Sequence, residues 1–142
     1  MRVFFDTNVL ISVLISGGKA SFLAFETVAE SQRHNLVTCT LVIEELTAKM
    51  ESKFRIAPTD PLLVDFLDEL DEHEIIQTPQ NPMAINITGL NDTRILTAAV
   101  MAGSDIFLTG DKELLALKNI GKMRIMQPGQ FLEFIKNITA EH

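Results

Sequence analysis

Short apolar runs alternate with segments of helical periodicity, and this alternation limits the fold more than any other feature of the sequence. Five runs have the length and composition of buried strands, at residues 2–5, 36–39, 74–77, 106–108 and 124–126. Helices are predicted at residues 8–16, 21–31, 41–53, 62–70, 93–102, 112–117 and 129–137, the first of them stopped by Gly17 and Gly18. Residues 78–90 are predicted to form a long loop. Strands joined by helical crossovers form parallel sheets covered on both faces, so we predict an α/β fold.

The size and composition of the chain favour one soluble domain. A chain of 142 residues can bury a single hydrophobic core, and we predict one domain over residues 1–142. Apolar stretches such as residues 9–15 are much shorter than the ~20 residues of a membrane span, and the N-terminus lacks the pattern of a signal peptide. We therefore expect a cytoplasmic protein with no membrane partner. The single cysteine, Cys39, excludes an internal disulfide.

The charge balance restricts the partners. The chain carries 12 Lys and Arg residues against 19 Asp and Glu residues, which gives a net charge of −7. Proteins that bind duplex DNA without specificity present a basic face, so this function is not expected here. An acidic site can still act on phosphodiesters when divalent ions neutralise its carboxylates.

Acidic residues recur where predicted strands and helices meet. Asp6 follows the first strand, Asp111 follows the fourth, and Asp92 precedes the helix that leads to the fourth strand. Glu44 and Glu45 lie about one turn into the helix after the second strand. In a parallel sheet the carboxyl ends of the strands share one edge, and the helices that follow begin there. We therefore expect Asp6, Asp92, Asp111 and one of the two glutamates to lie together.

Each acid also has an ordinary explanation. An Asp before a helix commonly caps its N-terminus, and Glu45 alone would be a solvated helix residue. Four carboxylates meeting without a cation would repel one another, however, and this favours a bound metal. Hard carboxylate oxygens suit Mg²⁺ or Mn²⁺. His34 and His73 lie outside the expected cluster, which makes zinc unsuitable.

Four segments resemble, in order, the successive motifs of PIN-domain ribonucleases. They read DTNVL (residues 6–10), EEL (44–46), NDTRILTAAV (91–100) and DIFLTGDKELL (105–115). The match spans nearly the whole chain and is closest to the bacterial and archaeal PIN subgroup of toxins from toxin–antitoxin modules. The resemblance implies a PIN-like three-layer α/β/α fold with a central parallel sheet of about 4–5 strands.

The same resemblance implies a Mg²⁺- or Mn²⁺-dependent endoribonuclease that hydrolyses RNA phosphodiester bonds. Asn8 and Thr109 would support the site, and the catalytic, metal-binding residues would be Asp6, Glu45, Asp92 and Asp111. Glu45 is preferred to Glu44 because family members place the acid directly before the leucine. The implied partners are RNA, an antitoxin protein and a second copy of the chain. The first candidate surfaces for the homodimer are the helix at residues 62–70, with Leu63 and Val64, and the helix that precedes it.

One departure keeps other interpretations open. The subgroup commonly has adjacent aspartates before the third motif helix, whereas Asn91 and Thr93 flank a lone Asp92. The number of bound ions is therefore open, and a catalytically weak PIN-like module that binds RNA or protein is an alternative. A haloacid-type phosphatase is disfavoured because Asn8 replaces its second acid. Four cations near the expected edge could contact substrate phosphates: Lys49, Lys53, Arg94 and Lys112. The chain has no Trp or Tyr, so only Phe and His side chains could stack on RNA bases.

Overall fold

The computed structural model describes residues 1–16 and 19–140, and over these residues it forms six strands and seven helices. The strands are β1 (Arg2–Phe5), β2 (Asn35–Cys39), β3 (Glu74–Ile76), β4 (Ile106–Leu108), β5 (Asn119–Ile120) and β6 (Met123–Met126). The helices are α1 (Thr7–Ile11), α2 (Lys19–Ala29), α3 (Thr40–Phe54), α4 (Pro61–Asp71), α5 (Leu90–Met101), α6 (Lys112–Leu115) and α7 (Pro128–Ala140).

The strands form one sheet in the order β3-β2-β1-β4-β6-β5. Five of them run parallel, with Phe4 of β1 opposite Val37 of β2 and Phe107 of β4. The predicted α/β class is therefore confirmed, and the five parallel strands agree with the expected central parallel sheet of about 4–5 strands. The additional strand, β5, pairs antiparallel with β6 through a tight turn in which Gly121 has φ 57°. Its two residues are too short to give a periodic signal.

The central strands are buried on both faces of the sheet. Val3, Phe4 and Phe5 are consecutive residues of β1 and are fully buried, although neighbouring strand residues point to opposite faces. The Phe4 and Phe107 rings stack with their centroids 5.2 Å apart. Helices α2 and α7 pack against each other, while α3 packs against α1 and α5. This arrangement confirms the three-layer architecture.

The N-terminal helical region is less regular than predicted. The helix expected over residues 8–16 is split into α1 and a π-helical segment, Ser12–Ser16. The predicted stop at Gly17 and Gly18 lies outside the described residues. Among the described residues no single helix is long and apolar enough to cross a membrane. One pair of helical segments, Thr7–Ile15 and Lys19–Ala29, reaches the required length and composition when taken together, but the two segments are bent by 106°.

The loop before α5 has the predicted extent, but the helix begins three residues early. Residues 77–89 contain no helix or strand. Gly89 has an extended backbone and is the N-cap of α5, so Asp92 lies inside the first turn of the helix rather than in front of it. This position places the Asp92 carboxylate beside the helix N-terminus, where a negative charge is favoured.

Candidate active site

Asp6 is the innermost acid at the carboxyl edge of the sheet. It connects β1 to α1 and is only 4% exposed. Its Oδ1 accepts a hydrogen bond from the Thr7 backbone N–H at 2.8 Å. Its Oδ2 accepts from the Thr109 hydroxyl at 2.8 Å and from Asn8 Nδ2 at 3.2 Å. The carboxylate is thus fixed by neutral donors, and none of these hydrogen-bonding partners carries a compensating positive charge.

This environment raises the pKa of Asp6 from its ordinary value of 3.8 to about 6. Burial is the largest cause, since it disfavours the charged carboxylate. The hydrogen bonds from Thr109 and Thr7 lower the pKa, whereas the nearby carboxylates of Asp92 and Glu45 raise it. A cation at this position would remove the repulsion and return the carboxylate to its charged form.

Two loops are joined around Asp6 by the side chains of Asn8 and Thr109. Asn8 Nδ2 donates to Thr109 Oγ1 at 3.2 Å, and Asn8 Oδ1 accepts from the Gly110 N–H at 2.8 Å. The Thr109 oxygen also accepts from the Asp111 N–H at 3.1 Å. The turn after β1 is therefore held against the turn after β4, and Asn8 and Thr109 lie where the sequence resemblance implied that they would support the site.

Glu45 faces this cluster, whereas Glu44 does not. The Thr7 hydroxyl donates a hydrogen bond to Glu45 Oε1 at 2.7 Å, which links α3 to the first residue of α1. Glu44 is exposed and lines a separate surface cleft with Thr47 and Pro58. The 100° rotation between consecutive helix residues explains why only one of the two glutamates reaches the edge. Sequence reasoning did not identify Thr7 as the residue that positions this carboxylate.

Asp92 and Asp111 lie on the outer side of the site. Asp92 is half-buried, and its pKa is raised by burial first and then by the carboxylates of Asp111 and Glu45. A Cβ atom placed on Gly89 would lie 2.8 Å from Asp92 Oδ2, so the carboxylate occupies space that only a glycine leaves open. Asp111 caps α6, where its Oδ1 accepts from the Glu113 N–H at 2.8 Å.

Glu113 is a further charged residue of the site that the sequence did not reveal, and Lys49, expected at this edge as a possible phosphate contact, also lies near it. Glu113 raises the pKa of Asp92, while Lys49 lowers it, which places both groups within electrostatic range of that carboxylate. Both oxygens of Glu113 accept from the Thr88 hydroxyl, at 3.1 and 3.2 Å. The position of Glu113 two residues after Asp111, inside the last motif, was the available signal.

Arg94 has a structural contact instead of a free surface position. Its Nε donates to the Pro79 carbonyl at 3.1 Å and so ties α5 to the loop before it. His34 and His73 lie outside the group formed by Asp6, Glu45, Asp92 and Asp111, as expected: both line a different pocket, and His34 Nδ1 lies 3.1 Å from the N-terminal amine.

The donor set at the carboxyl edge suits a hard divalent cation, since it consists of carboxylate and neutral oxygen groups. As the side chains stand, no three His, Cys, Asp or Glu residues in the described part of the chain converge closely enough to hold a metal ion. Asp6 is buried and held by three hydrogen bonds, whereas Asp92 and Asp111 are only partly buried. A cavity of about 390 Å³, lined by Asn8, Ser21 and Asp111 among others, opens beside the cluster.

The fold and the acid cluster together define an α/β domain of the PIN type. A family model described as "PIN domain" matches residues 2–113, a range that includes Asp6, Glu45, Asp92 and Asp111. The chain therefore belongs to the PIN domain family, whose members are generally nucleases. The resemblance found in the sequence is confirmed, and nothing in this membership supports a haloacid-type phosphatase.

A solved structure has the same fold. The chain is similar to a chain of VapBC2 from Rickettsia felis, a complex bound to a DNA fragment from its promoter, with a TM-score of 0.61 and 16% identity. The likeness covers 89% of this chain and 98% of the other. No curated protein sequence matches the chain significantly.

Proposed function

We propose that this protein is a Mg²⁺- or Mn²⁺-dependent endoribonuclease and the toxin component of a toxin–antitoxin system. The observation that carries the proposal is the buried Asp6 carboxylate, which is oriented by three neutral donors and faces other carboxylates. A buried acid in this setting is costly unless a cation joins it. Family membership supports a nuclease, and the acid cluster supports metal assistance.

In this proposal Asp6, Glu45, Asp92 and Asp111 hold the metal. When bound, Mg²⁺ or Mn²⁺ would lower the pKa of a water molecule and supply positive charge to offset the negative charge of the substrate phosphate. The protein's own contribution is orientation. Thr109 and Asn8 fix Oδ2 of Asp6, and the Thr7 hydroxyl fixes Glu45. The Lys49 ammonium, which lies near Asp92, is placed to bind a substrate phosphate.

An antitoxin partner follows from the toxin assignment. The support is the family subgroup that the motifs resemble and the fold shared with VapBC2, which was solved with a promoter fragment. The net charge of −7 is unsuited to contact with DNA. We therefore assign any promoter contact to the partner protein, whereas the RNA substrate of this chain rests on the PIN ribonucleases that its motifs resemble.

The test is an RNA cleavage assay with single-stranded and structured RNA, in Mg²⁺ or Mn²⁺ and in EDTA. Cleavage should require the metal and should be lost in Asp92→Asn. Glu44→Gln is the matched control, because this neighbour of Glu45 faces a different cleft and should retain the activity. Cleavage that persists in EDTA or in Asp92→Asn would contradict the metal mechanism, and a folded protein that binds RNA without cutting it would favour the non-catalytic alternative.

We also propose a homodimer, and the structure changes the residues that should test it. Leu63 is fully buried in the monomer core, so it is unavailable for an interface, whereas Leu62 and Val64 are 47% and 37% exposed. Light scattering at micromolar concentration should give twice the monomer mass of 15.8 kDa. Leu62→Glu should reduce the mass to that of the monomer without changing the circular dichroism spectrum, and a monomeric wild type would refute the dimer.

A further inference from the structure

A groove of about 820 Å³ runs between the β5–β6 hairpin and α7. Lys118 and Arg124 lie on the hairpin side, and Gln130, Phe134 and Asn137 lie on one face of the helix. We refer to this feature as the β6–α7 groove. Glu133 also lines it, so the groove carries two cations and one acid in a protein that is otherwise strongly acidic.

The groove contains a stacked cation and aromatic ring. The guanidinium carbon of Arg124 lies 5.2 Å from the centroid of the Phe134 ring, within the range of a cation–π contact. The chain has no Trp or Tyr, and most of its phenylalanines are buried in the core. Phe134 is half-buried and Arg124 is exposed, so the pair presents a platform of a cation and an aromatic ring at the surface. Nucleic-acid bases stack on platforms of this kind in a sequence-tolerant way.

The groove is formed by the least acidic part of the sequence, and its lining has two cations and one acid. Residues 105–142 contain five Lys and Arg residues and five Asp and Glu residues, so the net charge of −7 arises entirely from residues 1–104. Exposed amides, including those of Asn119 and Gln127, add neutral hydrogen-bonding groups to the groove wall. Cations, an aromatic ring and amides are the groups that recognise single-stranded RNA.

The groove adjoins the cavity beside the acid cluster at the start of α7. Pro128, the first residue of α7, lines the cavity that also contains Asn8 and Asp111. Its neighbours Gln127 and Gly129 line the β6–α7 groove. The Thr109 N–H donates to the Met126 carbonyl at 3.1 Å, which holds the end of β6 beside the site. A strand of RNA leaving the acid cluster past Pro128 would therefore enter the groove.

We propose that the β6–α7 groove binds the single-stranded RNA that flanks the cleaved phosphodiester, with a base stacked on the Arg124–Phe134 pair and a phosphate near Lys118. The proposal rests on the proposed ribonuclease function for its substrate. The groove supplies affinity and positions the strand, and it takes no part in the chemical step. A largely sequence-independent preference follows, because stacking and phosphate contacts carry little base information.

The experiment measures binding of a fluorescently labelled 12-nucleotide RNA by anisotropy, in EDTA so that no cleavage occurs. Arg124→Gln and Phe134→Leu should each weaken binding by about 5- to 10-fold, in line with the loss of one stacked base. Lys122→Gln is the matched control, since this exposed cation lies in the adjacent turn, 3.8 Å from Asp105 and outside the groove. Its binding should remain within twofold of the wild type, and circular dichroism should confirm that each variant is folded.

Cleavage kinetics then separate this proposal from the ribonuclease assignment. In Mn²⁺, Arg124→Gln should raise KM by about fivefold with kcat unchanged, because the groove acts on binding alone. Groove-dependent binding by a wild type that does not cleave would refute the ribonuclease and retain the groove. Active cleavage together with wild-type binding by Arg124→Gln and Phe134→Leu would overturn the groove, as would equal affinity for duplex and single-stranded RNA.

Discussion

The two edges of the central sheet both carry acidic residues, but the groups that surround these acids differ in charge. At the amino edge, the Arg2 guanidinium forms a 2.7 Å ion pair with Glu74, and the Arg2 N–H donates to Asp105 at 2.8 Å. Asp105 also forms an ion pair with Lys122, whose Nζ lies 3.8 Å from Asp105 Oδ1. At the carboxyl edge, the hydrogen bonds to Asp6 come from neutral groups, and the nearest charges are other carboxylates.

This difference separates structural acids from candidate functional ones. At the amino edge, the acid Glu74 is neutralised by the ion pair with Arg2, and this contact raises the pKa of Arg2. At the carboxyl edge, burial first and then the neighbouring carboxylates raise the pKa of Asp6 and Asp92. An acid that the chain itself does not neutralise needs a cation from solution, and that requirement marks the site.

The largest expected effect comes from removing the central acid. Asp6→Asn should lower metal-dependent RNA cleavage by about 100-fold or more, because it removes the fixed metal-binding oxygen. Asp105→Asn, at the amino edge, should retain activity within about twofold. The comparison between the two edges fails if both variants lose activity equally while remaining folded.

The next effect is a pH dependence of stability in metal-free protein. The pKa of Asp6 is about 6 when folded and 3.8 ordinarily, so between about pH 4 and 6 the unfolded state loses its proton first. The free energy of unfolding should therefore fall as pH rises through this window, by about 2 to 3 kcal/mol at most from this group. Asp92 acts in the same direction, because its pKa is also raised.

Urea unfolding in EDTA at several pH values measures this slope. His34 contributes a slope of the opposite sign. Burial lowers its pKa, so the free energy of unfolding rises with pH as this residue loses its proton. The difference between wild type and Asp6→Asn isolates the Asp6 contribution. Asp105→Asn should keep the wild-type slope, and an identical slope in wild type and Asp6→Asn would show that Asp6 is not destabilised by its surroundings.

The shared edge could be predicted from the sequence, because it depends on local features. Asp6 and Asp111 follow strands directly, and the helix that contains Asp92 begins beside that edge in any parallel α/β sheet. The roles of these acids in catalysis remain predictions. The helical rotation required one of Glu44 and Glu45 to face the edge, but periodicity alone did not say which.

The remaining features depend on tertiary contacts that leave no periodic signal. Thr7 and Glu45 are 38 residues apart, and Thr88 and Glu113 are 25 apart, so their hydrogen bonds exist only after the sheet has assembled. The π-helical segment Ser12–Ser16 preserves the apolar pattern of an ordinary helix. The burial of Leu63, which was expected beside an interface, follows from how α4 packs and not from its composition.

Metal binding should produce a smaller, measurable gain in stability. Saturating Mn²⁺ should raise the melting temperature of the wild type by about 5 °C, because the ion binds only the folded acid cluster. Asp111→Asn should raise the metal-free midpoint by about 1 to 2 °C through reduced repulsion and should reduce the Mn²⁺ response. Arg2→Gln should do the reverse: it should lower the metal-free midpoint through loss of the ion pair with Glu74 and keep the Mn²⁺ response.

The smallest expected effect concerns how the outer acids are spaced. The Thr88 hydroxyl donates to both Glu113 oxygens, and the Thr88 backbone nitrogen lies 3.4 Å from Glu113 Oε1. These hydrogen bonds join the segment before α5 to the start of α6. Asp92 lies in the first turn of α5, and Asp111 is the N-cap of α6. Thr88→Val should therefore raise the Mn²⁺ concentration at half of the thermal shift by about two- to threefold, in keeping with the loss of exposed hydrogen bonds.

Thr88→Ser is the matched control for this change, because it keeps the hydroxyl and should restore the wild-type Mn²⁺ midpoint. Glu113→Gln should behave between the two, since the amide oxygen still accepts from Thr88. A 10-fold or larger loss in Glu113→Gln, with Thr88→Val unchanged, would instead identify Glu113 as a metal ligand. That result would add a fifth acid to the carboxyl edge and widen the contrast with the internally paired acids of the amino edge.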